Sequence, residues 1–496
     1  MILRRIAAAV LVFAVSSVQA ETLTIAGGSF PEPWGNPFSS TSITRLPVWS
    51  ALFDPLTFVT ADGTLEPWLA ENWARDGATG WRFALRNGVV FSNGEPVTAH
   101  SFAAAIEYLT TAQGRASPVG RELFVLASAR ALDPLTLHIE TSSPDPLLPY
   151  KLALLRPLAA RQWAADGPEV YFADPPGTGP YVFTDIGPTR STLTANDASW
   201  RHAPAQTLDF IVLPEPAARQ AALATGEADI AISALSPDEF DAVRADGGSV
   251  FVDRIPAVVT LSYITAGQAE SPLADERVRA AIIHAVNRQA IVDVLMGGET
   301  RVANQPAPSN AFGYAHDIEG RAYDPERARI LLREAGYEDG FRFAMEMPSG
   351  AVSYTDVFQQ AAADLARVGI DLEVRTVPNS RFLEYIQTGE WNADAMAMPM
   401  FTPVSDALYP MRQNSCLWHA VYYCDPAAVP LIENAMAATG IDARRTATEA
   451  VMRHSHDTAQ SLFMYETVAF IGLSKRIKAF RSDFGFIRYE DIELAD

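Results

Sequence analysis

The stretch WRFALRNGVVFSNGEPVTAH (Trp81–His100) packs three kinds of local signal into twenty residues. Trp81, Phe83 and Leu85 alternate as a half-buried strand does, and Asn87-Gly88 supplies a tight turn. Val89, Val90 and Phe91 read as a second short strand leading into another turn at Asn93-Gly94. Thr98 then caps a helix whose apolar positions Phe102, Ala105, Ile106 and Leu109 recur at three and four. Strand, turn, strand, turn and capped helix account for the whole run, and no residue in it demands a catalytic role.

The same grammar extends in both directions. Upstream, TLTIAGGSF is a strand running into glycines, PEPWGNPFSSTS is a turn-rich loop, and a helix is predicted around Leu46–Phe53. Downstream, Leu135, Leu137 and Ile139 alternate as another hairpin arm. Two helix-then-strand units follow. One ends its helix at Gly226 before a strand at Asp229–Ala231; the other ends at Gly369 before Leu372–Val377. Asp275 and Asp324 cap two further amphipathic helices, stopped by Gly297 and Gly336, whose arginines read as solvated faces beside nearby acids. Helices feeding strands in both halves predict α/β lobes. With no Gly/Ser linker in sight, strands should cross between those lobes.

The chain has 496 residues, 48% of them hydrophobic, enough for two or three structural units. Its first twenty residues set Arg4 and Arg5 before an apolar run and end in Val18-Gln19-Ala20, the pattern of a cleavable export signal. No cysteine follows that run to carry a lipid, and no other stretch is long and apolar enough to span a membrane, so a soluble mature protein is expected. A formal charge of −21 argues against nucleic-acid binding. Cys416 and Cys424, eight apart, read as one disulfide closing a short loop in an oxidising compartment.

Signals for chemistry are weak. The pair His454 and His456 lacks a third-ligand pattern, no G-x-S-x-G elbow occurs, and GTGPY (Gly177–Tyr181) opens no helix. AMAMPMF (Ala395–Phe401) alternates as a buried strand before it reads as a soft-metal site. Trp34, Trp418 and Tyr422 stand in loops where an aromatic serves a pocket, and His419 is a further wall candidate. No cofactor and no metal site is expected.

Leu65–Phe102 closely resembles the signature of the peptide/opine/nickel family of ABC-transporter solute-binding proteins. The resemblance continues in family order through GTGPY, NDASW (Asn196–Trp200), LATGEADI (Leu223–Ile230), DERVRAAIIHAVNR (Asp275–Arg288) and YDPERARILLREAGY (Tyr323–Tyr337). It implies an α/β periplasmic-binding fold of type II, two lobes with a hinge and an extra N-terminal subdomain. The expected order is signal peptide 1–20, lobe I from 21–60, the extra subdomain 61–170, lobe I again over 171–262, lobe II 263–468, and a return to lobe I at 469–496. It also implies a periplasmic, monomeric receptor and not an enzyme, one that captures an oligopeptide, peptide-like or opine-like solute and hands it to an inner-membrane ABC permease. A nickel or other metal chelate is the alternative cargo, and a secreted hydrolase the remote one.

By the same resemblance Arg156 falls near a cleft arginine suited to a ligand carboxylate, with Arg115 a weaker second. Phe401-Thr402-Pro403-Val404-Ser405 occupies the neighbourhood where nickel binders carry an aromatic pair, which is not reproduced; Phe401 and Ser405 are candidates there. By the resemblance Thr402 or Pro403 stands close to the place where peptide-binding members carry the carboxylate that meets a free amino terminus, which is not reproduced here; Asp406, close by, matches a structural aspartate. The paired cysteines are similar to those of peptide-binding members. Ser101 replaces the usual aspartate of the family, which predicts a slightly weaker helix start.

Overall fold

A computed structural model describes residues 22–30, 34–233, 235–349 and 352–495, without the side chains of 352–354. The expected signal peptide, residues 1–20, lies outside the described residues.

Two long strands organise the molecule. Ser249–Tyr263 and Ser461–Leu473 pair antiparallel in the middle of a ten-stranded mixed sheet. On one side stand Ile230–Ala231, Thr22–Gly27, Thr207–Val212, Arg190–Ala195 and Tyr181–Ile186; on the other stand Ala395–Phe401, Phe341–Pro348 and Ile370–Val377. The central pair slips register between Arg254 and Val258. Pro256 sits inside that slip, and because proline cannot donate to a ladder the strand bends there. The freed carbonyl of Pro256 instead accepts the backbone N–H of Thr402 at 2.7 Å, docking the end of Ala395–Phe401 onto the bend.

Three large cores follow from this layout. One gathers Leu23, Ile25, Phe210, Ile471 and Tyr489 around the strand Thr22–Gly27. A second gathers Val259, Leu261, Val278, Phe358 and Leu462 around the far half of the crossing strands. The third fills a separate antiparallel sheet of four strands, ordered Ala70–Asp76, Gly80–Leu85, Thr136–Thr141 and Leu126–Asp133. A smaller cluster between Ala307 and Met452 packs the helices Ala428–Ala437 and Ile441–Asp457.

The opening stretch lands in the third core. Trp81, Phe83 and Leu85 are buried on Gly80–Leu85, and Gly88 and Gly94 take the positive φ their turns require. Val89–Phe91 is not a strand. Only Val90 bridges, to Pro96, because the chain reverses at Asn93-Gly94 and proline offers no N–H to extend the ladder. The helix runs from Ala99 to Thr110. Ser101 is fully buried, and its Oγ accepts the Thr98 backbone N–H at 3.2 Å, so a small uncharged side chain completes the cap where a buried carboxylate would lose its hydration.

Two expectations are corrected. The helix after Asp275 is two helices, Glu276–Ala285 and Arg288–Leu295, broken at an extended Val286. Asn287 caps the second through Ala290 N–H at 3.1 Å, while its own N–H donates to Asp364 at 2.9 Å. Nor are Arg279 and Arg288 on solvated faces: both are buried and donate to backbone carbonyls, Arg279 to Ala459 and Thr458 and Arg288 to Ala303 and Phe463. Carbonyls left unpaired where strands enter and leave the core need donors, and a planar five-donor guanidinium reaches several at once. The glycines of GTGPY have a steric cause, since a Cβ at Gly177 would lie 2.1 Å from the Leu52 carbonyl oxygen and one at Gly179 2.3 Å from that of Ala51.

Candidate functional site

A cavity of about 750 Å³ opens where the cores meet, well within the size of a small-molecule site. One wall comes from the helix Leu46–Leu52, the strand Thr57–Val59, the segment 153–156 and the turn at 483–486; the other comes from Ala395–Phe401 and the helices Asn379–Thr388 and Tyr409–Gln413. Its surface is mainly apolar and aromatic, with Trp49, Phe58, Phe382, Phe401 and Phe484 among its walls. Ser405 and Phe484 both hold positive φ without being glycine, at 53° and 56°, a conformation that persists only where surrounding contacts impose it.

Arg156 lines this cavity and is 3% exposed. Its Nη1 donates to the Ala153 carbonyl at 3.2 Å and its Nε has no partner. Burial pulls its pKa down to about 10, with Asp54 opposing the shift, so the guanidinium remains charged at neutral pH. Asp54 is not available as a counter-ion. It lies 2.8 Å from Arg201 Nε and accepts from Trp68 Nε1, Thr178 Oγ1 and Trp200 Nε1. A buried cation lacking its own acid is costly, and an anion entering the cavity would relieve that cost.

Of the residues expected from sequence, Arg156, Phe401 and Ser405 come together here. Phe401 is 44% exposed at the end of its strand. Asp406 does not line the cavity; it is buried, 2.6 Å from Arg444 Nη2, and caps Leu408 N–H. Trp34 is in the core, stacked on Phe183 at 5.4 Å with Nε1 donating to Phe30, because its loop folds back over the strands instead of facing solvent. Arg115 closes its own loop, donating to the carbonyls of Thr110, Phe124 and Leu126. Trp418 and His419 sit against the outer end of Asn379–Thr388, bonded to the carbonyls of Ile386 and Gln387 at 3.3 and 3.1 Å. They buttress a helix that forms the wall without reaching the cavity. Tyr422 is buried and donates to Asn414, a lining residue, within the loop that the Cys416–Cys424 disulfide closes.

Sequence reasoning passed over Phe382, Tyr409 and Phe484. The first two sit on helices whose polar sequence gives no hint of a partner; the aromatic-glycine run Phe484-Gly485-Phe486 was the available signal for the third. Tyr409 donates to Glu122 Oε1 at 2.6 Å, and burial pushes the Glu122 carboxyl up. Among the described residues no group of three or more His, Cys, Asp or Glu side chains is placed to hold a metal ion, and His454 is instead bonded to Asp425 at 2.7 Å.

A mixed sheet whose central strands cross between two α/β lobes, with an apolar cavity at their junction, is the architecture of the two-lobed type II periplasmic-binding fold. The profile of the bacterial extracellular solute-binding proteins, family 5, matches residues 64–415, and the chain belongs to that family. The dipeptide-binding protein of Escherichia coli is 25% identical over 97% of this chain and 96% of its own. The nickel-binding periplasmic protein of the same organism is 30% identical, over 58% of this chain and 56% of its own length. Among solved structures, NikA from Brucella suis in complex with Fe(III)-EDTA superposes with a TM-score of 0.84 at 24% identity, covering 96% of this chain and all of that one. The DppA of Helicobacter pylori in complex with the peptide STSA gives 0.77 at 20% identity, covering 96% and 98%. The chain is therefore a transport receptor, the solute-binding component of an ABC transporter acting outside the cytoplasm, and not an enzyme.

Proposed function

We propose that this receptor captures a peptide-like or opine-like solute through a carboxylate seated on Arg156 and delivers it in the Gram-negative periplasm to an inner-membrane ABC permease. The observation that carries the reading is the charged Arg156 guanidinium, buried in the cavity wall with no acid of its own. Phe401 and Ser405 contribute to the opposite wall. The division into lobe I (21–60, 171–262, 469–496), extra subdomain (61–170) and lobe II (263–468) belongs to this reading. Three separate cores support it, although Val259 and Leu261 on the crossing strand pack into the second-lobe core.

A metal chelate is the second reading. The resemblance to the nickel-binding protein and to the Fe(III)-EDTA complex favours it, and a chelate's carboxylates would suit the same arginine. The test is a panel of short peptides, opines and nickel–histidine, scored by shifts in melting temperature and tryptophan fluorescence. Peptide-like acids should stabilise the protein, and Arg156→Ala should weaken them by about 2–5 kcal/mol. Stabilisation by nickel–histidine alone would overturn the first reading in favour of the second.

A further inference from the structure

Charge around the cavity is unbalanced in one direction. Among the described residues, Arg156 and Asp483 are the charged side chains that line it. Asp483 is fully engaged: Oδ1 accepts the Ala61 N–H at 2.9 Å, and Oδ2 lies 3.1 Å from Arg488 Nε and 3.3 Å from Arg481 Nε. Acids one layer back are held as well, Asp54 by Arg201, Asp406 by Arg444 and Glu122 by Tyr409. Glu346 has an unpartnered Oε2, but it sits beside Met396 in the sheet, outside the cavity lining, with Arg375 and Arg381 acting on it.

Aromatic faces often receive a ligand ammonium, yet here three are already occupied by protein cations. Arg45 lies over Trp49 at 5.7 Å, Arg488 over Phe58 at 4.2 Å and Arg201 over Phe486 at 5.6 Å. All three rings line the cavity. The walls thus welcome one negative group and offer no free carboxylate to a positive one, which would give up its water for no more than the faces of Phe382, Phe401, Tyr409 and Phe484.

We propose that the cargo is an acid with an apolar body and no cationic group: a peptide-like molecule whose amine is acylated or otherwise conjugated, taken in preference to a free zwitterionic peptide. The proposal rests on the reading of the cavity as the seat of a peptide-like cargo and narrows its chemistry.

The experiment uses the purified receptor and one pooled tripeptide library in three forms: free, N-acetylated and N-acetylated with an amidated C-terminus. Melting temperature is read for each pool, and dissociation constants for the best acetylated member and its free counterpart. The acetylated pool should raise the melting temperature, the doubly blocked pool should not, and the acetylated peptide should bind at least tenfold more tightly than the free one. A free peptide that binds within tenfold of its acetylated form, or more tightly, overturns this proposal while leaving the peptide-like reading in place. If no pool shifts the melting temperature, the peptide-like reading itself fails and takes the proposal with it.

Discussion

The Tyr409 hydroxyl donates a 2.6 Å hydrogen bond to Glu122 Oε1, joining a cavity-wall helix to the helix Pro118–Glu122 beside the four-stranded sheet. The two residues are 287 positions apart, and Tyr409 also lines the cavity, so this bond couples the packing of two cores to the shape of the site. Arg412 over Phe124, at 5.8 Å, is a second contact across the same junction.

Tyr409→Phe should remove the bond and leave the half-buried Glu122 carboxylate without its donor. An unsatisfied group of that kind costs about 1–3 kcal/mol. Ligand dissociation, followed by stopped-flow fluorescence, should quicken roughly tenfold, which corresponds to about 1.4 kcal/mol. Glu122→Gln in the same background should recover most of the loss, because a neutral amide is cheaper to bury than an unpaired carboxylate. An unchanged dissociation rate in Tyr409→Phe would show that the contact does not help hold the lobes together.

Gly63 makes the tightest approach across the junction. It has φ +83°, and a Cβ there would lie 2.0 Å from the Asn310 carbonyl oxygen, while Asn310 Nδ2 donates to Ala61 at 2.7 Å. Gly63→Ala should block that approach. Affinity should fall at least tenfold and the radius of gyration measured by X-ray scattering with ligand present should increase. Gly94→Ala is the control, since Gly94 also has positive φ but nothing lies within 4 Å of its added Cβ. It should cost about 1 kcal/mol of stability from backbone strain and leave binding unchanged.

Local elements were legible because their causes are local. Trp81, Phe83 and Leu85 declare a strand by alternation, and Thr98, Gly226 and Gly336 mark helix ends by the caps and positive φ they supply. Arg279 and Arg288 were not legible. Arg279 has Asp275 and Glu276 at helical spacing and Arg288 has no acid there, yet the carbonyls they satisfy belong to Ala459 and Phe463, more than 170 residues away. The cavity fails in the same manner. Phe58, Phe382 and Phe484 share it only because the crossing strands bend at Pro256, and no spacing in the chain records that meeting. Trp34 illustrates the converse: a turn-rich loop reads as exposed, yet its indole fills the core beside Phe210. Arg156 was visible only through family resemblance; periodicity around Leu152–Leu155 would have left it an ordinary surface arginine.

Arg156→Met should raise the stability of the empty receptor while removing its grip on an acid. The buried guanidinium has lost water and gained one carbonyl contact in return, so a hydrophobic side chain of similar length suits the empty site better. Urea unfolding should show a gain of about 1–3 kcal/mol without ligand. Ligand-induced stabilisation should disappear. A variant less stable than the parent would mean that Arg156 supports the fold and is not held there at the fold's expense.

Asp253 provides a pH-dependent test of the same tension between stability and site geometry. It is buried on the crossing strand, where it accepts Ser482 Oγ at 2.7 Å and Gly485 N–H at 3.0 Å and so holds the turn that presents Asp483 and Phe484 to the cavity. Burial, with neighbouring Asp483 adding to it, raises the Asp253 pKa from 3.8 to about 6. Because the folded value lies above the unfolded one, the folded state binds the proton more tightly, and the carboxylate costs stability at pH 8. That cost fades as pH falls through 6 and is gone below 3.8. Asp253→Asn should therefore stabilise the protein at pH 8 by about 1–3 kcal/mol and by almost nothing at pH 4. A gain of equal size at both pH values would trace it to packing instead of charge. Ligand affinity should be unchanged in the same variant, since Ser482 and Gly485 both donate to Oδ2 and an amide oxygen in its place keeps both bonds and the turn they hold.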